Sequence, residues 1–219
     1  MARETVTVGE RALIFETEAW AKQGNGVLLR CGEAVLLCTS CAASTASTAD
    51  FFPLTVEYRE KAAAFGRIPQ GYGRRETRAS DDETLSSRVI DRSLRPLFPK
   101  TFRVETQVMA TVFSADPDLD LAALSVTGAS LSLMLSEIPW QGPVAAVRVG
   151  REHGRFVAFP SAAARRGAEL DFVVSCGPQG ILMVEGAAQE LPESELIDCL
   201  VFAQAQCAPL LAMQSAWAK

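Results

Sequence analysis

Arginines are concentrated in one segment of this chain, where they could bind phosphate groups. Between Arg59 and Arg103 there are 11 basic residues, nine of them arginine, against 6 acidic ones, a local charge of +5. The rest of the chain carries −10, so the net charge is −5. Because the planar guanidinium group pairs with phosphate oxygens through two hydrogen bonds at once, this segment indicates a phosphate-binding surface. A solvated loop and helix face is the alternative explanation.

Three of these arginines have helical spacing. Ser80 and Glu83 form the S-x-x-E pattern of a capping box, which predicts a helix that ends at the prolines of 96–99. Five apolar residues should lie on one broad side of this helix: Leu85, Val89, Ile90, Leu94 and Leu97. The positions i, i+4 and i+7 on the other side are Arg88, Arg92 and Arg95.

The cysteines and the single histidine do not form a recognisable metal site. Cys38 and Cys41 have the C-x-x-C spacing of zinc and redox sites, but there is no second pair. His153 is distant in sequence and lies in a predicted polar turn. We therefore expect buried strand cysteines without disulfides, as in a reducing compartment.

The elements that must position these residues form an α+β pattern. Strands are predicted at 5–16, 26–38, 51–59, 103–114, 142–149, 155–159, 169–175 and 180–185, the first three in an antiparallel sheet. Further helices are predicted at 121–136, apolar nearly all round and therefore buried, and from about Pro192. No linker divides the chain, so we predict a single domain over 1–219.

The composition favours a cytoplasmic protein without a membrane partner. The 219 residues begin without the basic and apolar blocks of a signal peptide. The longest apolar runs, 121–135 and 196–213, are interrupted by polar residues and fall short of the roughly 20 clean apolar residues that cross a bilayer. In the second run, a partner surface could be formed by Leu196, Val201, Leu210 and Leu211.

Ordered motifs along nearly the whole chain resemble the polynucleotide phosphorylase family. The matching segments are Phe51-Phe-Pro-Leu-Thr-Val-Glu-Tyr58, Gly66-Arg-Ile-Pro69, Arg74-Arg-Glu76, Arg88-Val-Ile-Asp-Arg-Ser-Leu-Arg-Pro-Leu-Phe-Pro99, Thr127-Gly-Ala-Ser-Leu-Ser-Leu-Met134, Ile138-Pro-Trp-Gln-Gly-Pro-Val144, Leu170-Asp-Phe-Val-Val174 and Leu182-Met-Val-Glu185. The resemblance is to the first of that family's two ribonuclease-PH-like cores. The family's second core, helical linker, KH and S1 domains have no counterpart here, so we expect an excised or truncated N-terminal core.

The resemblance implies a ribonuclease PH-like fold, similar to domain 2 of ribosomal protein S5. It implies a homotrimeric ring in which two such cores pair within each chain. In that ring, single-stranded RNA enters a channel 3′ end first, and inorganic phosphate cleaves it to nucleoside diphosphates during mRNA degradation. Mg²⁺ would assist, bound mainly outside this core, and further partners would be of the degradosome type.

The resemblance also implies that this core lacks the catalytic groups. The first set of positions is the family's phosphate cradle, where the sequence has Asp120, Leu121 and Ala122. The second set is the family's Asp-x-Asp-x-Lys pattern, where the sequence has Glu169, Asp171 and Val173. The aspartate of the first set would repel phosphate and its neighbours offer no side-chain donor, although backbone N–H groups remain open. The two carboxylates of the second set could hold a cation, but an exposed strand edge is the favoured alternative. We therefore assign no catalytic residue and no metal ligand.

The family carries an aromatic-aromatic-Arg-Arg loop at the mouth of the channel. The matching residues are Tyr72, Gly73, Arg74 and Arg75, so one aromatic is missing. An aromatic ring stacks on any base and an arginine binds phosphate, so this loop suits single-stranded RNA without sequence preference. A mobile turn with solvated arginines is the alternative.

The helical arginines have two open interpretations. Arg88, Arg92 and Arg95 either line the RNA path or pair with carboxylates and hold the ring together, and we favour the RNA side slightly for Arg88. We include all three among the candidate RNA-binding residues.

These observations leave two main functional hypotheses. The first is the N-terminal core of a 3′-to-5′ phosphorolytic exoribonuclease, a nucleotidyltransferase, with its main catalytic site in the second core. This core alone is then expected to be inactive. The alternative is a stand-alone, non-catalytic RNA-binding ring subunit, and a purely structural oligomerisation domain would have no RNA affinity.

Overall fold

Two hairpins open the chain, and each turns at a Gly-Glu pair. The computed structural model describes residues 2–17, 20–21, 25–70 and 72–218. The first hairpin joins β1 (Arg3–Val8) to β2 (Arg11–Thr17), and the second joins β3 (Asn25–Cys31) to β4 (Ala34–Ala46). The turn glycines Gly9 and Gly32 have φ values of 58° and 56°, which glycine adopts without steric cost. The single strands predicted over 5–16 and 26–38 are therefore wrong, because turns of two residues hardly interrupt the apolar pattern.

A parallel pair of strands closes the first sheet. This sheet has the order β1-β2-β3-β4-β6-β5, where β5 is Leu54–Arg59 and β6 is Val104–Ser114. Because β5 pairs with β6 in parallel, the predicted antiparallel arrangement is wrong for β5. Parallel neighbours need a long crossover connection, which here is residues 60–103. The crossover places the arginine-rich segment at one edge of the sheet.

A second sheet of four strands follows. It has the order β10-β9-β7-β8 and consists of β7 (Ala145–Glu152), β8 (Arg155–Ala158), β9 (Leu170–Gly177) and β10 (Gly180–Ala188). A short helix that the sequence pattern did not predict, α3 (Ala162–Arg165), connects β8 to β9. The fold is α+β, as predicted, and helices pack against both sheets.

The crossover helix has the predicted start. α1 spans Asp81–Leu94, with Ser80 and Glu83 forming both hydrogen bonds of the capping box. A 3-10 turn over Arg95–Leu97 follows, at the predicted prolines. One apolar residue departs from the expected buried side, because Leu85 is 51% exposed and borders a groove described below.

The second helix lies between the two sheets. α2 (Leu121–Met134) packs against β3 and β4 of the first sheet and against β7 of the second. Its buried, almost wholly apolar character confirms the prediction for this segment. Contact with the first sheet is close at Gly128, where a Cβ atom would lie 2.7 Å from the Cys38 sulfur. A side chain larger than glycine would therefore push α2 away from the first sheet.

The last helix covers the second sheet. α4 (Glu193–Trp217) starts after Pro192, as predicted, and packs against β7, β9 and β1. By length and composition it is apolar enough to cross a membrane, although 28% of its most apolar window is buried in the fold. Its Gln214 is buried and hydrogen-bonded to Ser130 and to the Val144 carbonyl. Of the predicted partner surface, Val201 is exposed whereas Leu210 is fully buried, and the other two leucines are half-buried.

Candidate functional site

An arginine on β7 bridges an aspartate at the start of α2 and an aspartate on β9. Arg148 donates from Nη1 to Asp120 Oδ2 at 2.8 Å. It also donates from Nε and Nη2 to the two oxygens of Asp171, at 2.6 and 2.5 Å. Hydrogen bonds to Asp171, together with the charge of Asp120, raise the pKa of Arg148 against the opposing effect of burial. The cation therefore stays charged and is fully engaged within the chain.

The same aspartate caps the helix. Asp120 Oδ1 accepts hydrogen bonds from the backbone N–H groups of Ala122 and Ala123, at 3.0 and 3.1 Å. These are among the backbone donors that the sequence left open for phosphate. A helix N-terminus attracts an anion through such N–H groups and its positive dipole. Here the carboxylate of Asp120, 7% exposed, already occupies that position.

A groove beside this network brings together most of the positions that match the family's phosphate cradle and its Asp-x-Asp-x-Lys pattern. Asp120, Ala122, Asp171 and Val173 line a cavity of about 240 Å³, with Leu85 and Val89 of α1 among its walls. Glu169 lies just before β9, is exposed, and is 3.6 Å from the Arg151 guanidinium. The carboxylate pair considered for a cation is thus divided between two different arginines. Val173 is buried and offers no donor.

The groups expected for Mg²⁺ are not assembled in the part of the chain that the structure describes. No cluster of three His, Cys, Asp or Glu side chains occurs among those residues. Both oxygens of Asp171 accept hydrogen bonds from Arg148. Both oxygens of Asp120 are also occupied, one by Arg148 and the other by the backbone N–H groups of Ala122 and Ala123. Since Mg²⁺ needs free oxygen ligands, the donor set of this groove does not fit it.

The C-x-x-C pair is divided between the two faces of β4. Cys38 is buried, and burial raises the pKa of its thiol to about 12. Cys41 is exposed, which corrects the expectation of uniformly buried cysteines. Residues i and i+3 of a strand point to opposite sides, so these two sulfurs cannot hold one metal ion.

The predicted RNA-binding loop, residues 72–75, precedes α1 and is exposed to solvent. Tyr72, Gly73, Arg74 and Arg75 are all exposed, and Tyr72 is fully so. Among the described residues, neither arginine forms a salt bridge within the chain. Arg74 has a φ of 45°, a left-handed conformation that is uncommon for a side chain of this size. The aromatic ring and both guanidinium groups are therefore available to a ligand.

The three helical arginines differ in their contacts. Arg88 is exposed and, within the described residues, has no salt bridge. Arg92 pairs with Glu185 of β10, and both side chains are close to half exposed. Arg95 is held by Asp91 at 2.9 and 2.6 Å and donates to the Phe52 and Leu54 carbonyls at 3.3 and 3.2 Å. Arg95 thus has the contacts of the structural interpretation, whereas Arg88 is free to bind phosphate.

Two features of the site were not found from the sequence. Arg148 was not singled out, because it lies in an apolar strand, 28 and 23 residues from its two partners. An arginine inside a buried strand is itself a signal, since such a charge needs a partner. The second feature is Tyr58, whose hydroxyl donates to Glu60. Burial, followed by nearby carboxylates, raises the pKa of Glu60, which the Tyr58 hydrogen bond partly opposes.

Comparison with known proteins identifies the family of this fold. Residues 9–139 match the 3′ exoribonuclease family, domain 1, and residues 142–206 match domain 2 of the same family. The crystal structure of rice (Oryza sativa) Rrp46 has a TM-score of 0.74 and covers 94% of this chain and 93% of its own. At 12% identity, this likeness supports the fold alone. The expected ribonuclease PH-like fold is thereby confirmed.

Several enzymes are much closer in sequence. The polyribonucleotide nucleotidyltransferases of Geotalea uraniireducens and Sorangium cellulosum are both 48% identical to this chain over 95% of its length. That of Anaeromyxobacter dehalogenans is 47% identical over 98%. The chain spans about 30% of the length of these relatives. The resemblance is to the region of their first ribonuclease-PH-like core, as expected. Because the first family model alone matches more than half of the chain, this protein belongs to the 3′ exoribonuclease (ribonuclease PH) family.

Proposed function

We propose that this chain is the RNA-binding first core of a 3′-to-5′ phosphorolytic exoribonuclease and does not itself carry out phosphorolysis. The observation that carries the proposal is the contrast between two places in the fold. At the N-terminus of α2, Asp120 and Arg148 satisfy each other. In the loop before α1, Arg74 and Arg75 are exposed and lack ion-pair partners among the described residues.

The closed helix terminus supports the absence of chemistry in this core. Phosphorolysis requires a cradle of donors for inorganic phosphate and neutralisation of the charge that develops on the transferred phosphoryl group. In this groove the guanidinium of Arg148 and two backbone N–H groups are taken by carboxylates of the chain. This supports our proposal that phosphate and Mg²⁺, as co-substrate and cofactor, bind in another part of the complete enzyme.

The exposed loop supports binding of single-stranded RNA. Tyr72 can stack on a base, and Arg74, Arg75 and Arg88 can pair with phosphates without reading the sequence. Arg92 and Arg95 belong to the same helix face but already pair with Glu185 and Asp91. We expect the free arginines to contribute more affinity than these two.

The remaining features of the proposal concern assembly and location. We propose a single domain that pairs with a second ribonuclease-PH-like core in a cytoplasmic homotrimeric ring for mRNA degradation, with partners of the degradosome type and no membrane partner. The exposed Ile197 and Val201 of α4 are candidate contacts in that ring. The stand-alone ring subunit is less favoured, because the relatives at 47–48% identity are nucleotidyltransferases about three times longer than this chain.

Two measurements test the proposal. The chain, incubated with poly(A), phosphate and Mg²⁺, should release no ADP, and phosphate-dependent ADP release would refute the assignment of chemistry to another core. Labelled oligo(A) should bind the chain, and the double variant Arg74→Ala/Arg75→Ala should weaken this binding. The slope of log affinity against log salt concentration should also become shallower, by the amount that corresponds to the loss of up to about two phosphate contacts. The double variant Arg155→Ala/Arg166→Ala removes the same charge from exposed positions outside this segment. If both double variants weaken binding equally, only net charge matters and the loop has no special role.

A further inference from the structure

The RNA-binding loop is closed at its base by one glutamate. Ala62 begins a 3-10 turn over Ala62–Phe65, and the residue before it, Lys61, provides no side-chain cap. The Ala62 N–H instead donates to Oε1 of Glu76, 14 residues later, at 2.9 Å. Glu76 therefore caps a turn at the start of the loop from a position at its end. Between these two residues lie Tyr72, Arg74 and Arg75.

The turn that Glu76 reaches is anchored on the first sheet. The Ala64 carbonyl accepts a hydrogen bond of 2.9 Å from the N–H of Ala115, just after β6. On the other limb of the loop, Glu83 accepts from Glu60 N at 2.9 Å and from Ser80 N at 2.8 Å, which fixes the start of α1. Among the described residues of 68–75, no hydrogen bond to the rest of the protein occurs. The hydrogen bond between Glu76 and Ala62 is thus the contact with the rest of the protein that lies nearest to Arg74 and Arg75 in the sequence.

We propose that Glu76 is a positioning residue that holds Arg74 and Arg75 in the arrangement that binds RNA. This inference rests on the proposed function of the loop. A loop that is open at its base must be ordered when RNA binds, and the entropy cost then reduces affinity. The hydrogen bond to Ala62 removes part of this cost before binding. Glu76 itself need not contact RNA.

The charge of Glu76 has the opposite effect. Glu76 lines a cavity of about 370 Å³ together with Glu60, Glu83, Arg75 and Arg78. A carboxylate beside arginines repels an incoming phosphate, so its charge alone should weaken RNA binding. Positioning requires only the oxygen that accepts from Ala62, whereas repulsion requires the negative charge. Two substitutions of Glu76 separate these effects.

Glu76→Gln keeps the acceptor oxygen and removes the charge, whereas Glu76→Ala removes both. If Glu76 positions the loop, oligo(A) should bind Glu76→Gln at least as tightly as the parent chain. It should bind Glu76→Ala about three- to tenfold more weakly, the range expected for one partly exposed hydrogen bond. If Glu76 only repels phosphate, both variants should bind more tightly than the parent.

Ala62→Pro removes the donor and leaves Glu76 unchanged. Ala62 is the first residue of its turn, where proline is tolerated, and Lys61 has a ψ of 158°, the extended conformation that precedes proline. Ala62→Pro should therefore weaken oligo(A) binding at least as much as Glu76→Ala, because it breaks the same contact and keeps the repelling charge of Glu76. The double variant should bind no more weakly than either single variant, because the two changes break the same contact. Ala62→Pro should leave the salt slope unchanged, since all the charges of the loop remain.

A measurement without RNA keeps this inference separate from the proposed function. Trypsin cleaves after arginine, and more slowly where an acidic residue follows, so the variants are compared in pairs of equal charge. Cleavage after Arg74 and Arg75 should be faster in Glu76→Ala than in Glu76→Gln, and faster in Ala62→Pro than in the parent chain. Equal cleavage rates within both pairs, or oligo(A) binding by Glu76→Ala as tight as that by Glu76→Gln, would overturn the inference alone. If Arg74→Ala/Arg75→Ala binds oligo(A) like the parent chain, the proposed function of the loop fails, and the positioning role falls with it.

Discussion

Removal of the Asp120 carboxylate should destabilise this protein more than removal of the carboxylate of any neighbouring acidic residue. Asp120→Ala removes a helix cap formed by two hydrogen bonds from Ala122 and Ala123. Loss of such a cap costs about 1 kcal/mol of folding free energy. The change also removes the hydrogen bond from Arg148, worth roughly 1.5–3 kcal/mol for a charged partner. Arg148 keeps both bonds to Asp171, so we expect a total near 2–4 kcal/mol.

The melting temperature is the direct measurement. For a chain of 219 residues, each kcal/mol corresponds to a shift of about 2–4 °C. Asp120→Ala should therefore lower the melting temperature by roughly 5–15 °C, followed by circular dichroism and checked by urea denaturation. Asp118→Ala is the matched control, because Asp118 is exposed and its carboxylate accepts one hydrogen bond among the described residues, of 3.2 Å, from Ala162.

Asp120→Asn separates the cap from the ion pair. Its amide oxygen can still accept from Ala122 and Ala123, but its amide group presents a donor to Arg148. This variant should be about 1 kcal/mol more stable than Asp120→Ala, which is the share of the cap. If Asp120→Ala melts within a degree or two of Asp118→Ala, the network contributes little and our account of the helix terminus is wrong.

Three other substitutions test the loop and its surroundings. Tyr72→Ala should weaken oligo(A) binding by about 1–3 kcal/mol without changing the salt slope, because stacking is uncharged, and parent-like binding would rule out a stacking role. Gly73→Phe should tighten binding by up to a similar amount, since a Cβ atom at this position would have no neighbour within 4 Å and the glycine has no positive φ that would strain a larger residue. Glu60→Gln should raise the melting temperature by an amount that increases as the pH rises above 4.5. The reason is that burial raises the pKa of Glu60 in the folded state above its unfolded value of 4.5, so the parent protein loses stability as the pH rises through the folded-state pKa, whereas Glu60→Gln does not. A difference in melting temperature between Glu60→Gln and the parent that stays constant with pH would contradict this reasoning.

The local pattern of the sequence was sufficient for most elements. Ser80 and Glu83 predicted the start of α1, and the apolar run over 121–136 predicted a buried helix, because capping and periodicity depend on residues close in sequence. The family motifs correctly indicated the fold, which the family matches confirm. The two Gly-Glu turns at 9–10 and 32–33 are also local features, but they are too short to interrupt an alternating pattern.

The tertiary structure decided which charged groups are free. Arg88, Arg92 and Arg95 have the same spacing and chemistry in the sequence, yet only Arg88 lacks an ion-pair partner among the described residues. Arg92 meets Glu185 only because β10 packs beside α1, and that contact joins residues 93 positions apart. Likewise, Asp120 could have been a solvated loop residue, but the packing of β7 and β9 near α2 supplies Arg148 and Asp171. Pairing between distant residues depends on the arrangement of the sheets, which no local pattern encodes, and it is this pairing that closes the helix terminus and leaves the loop arginines open.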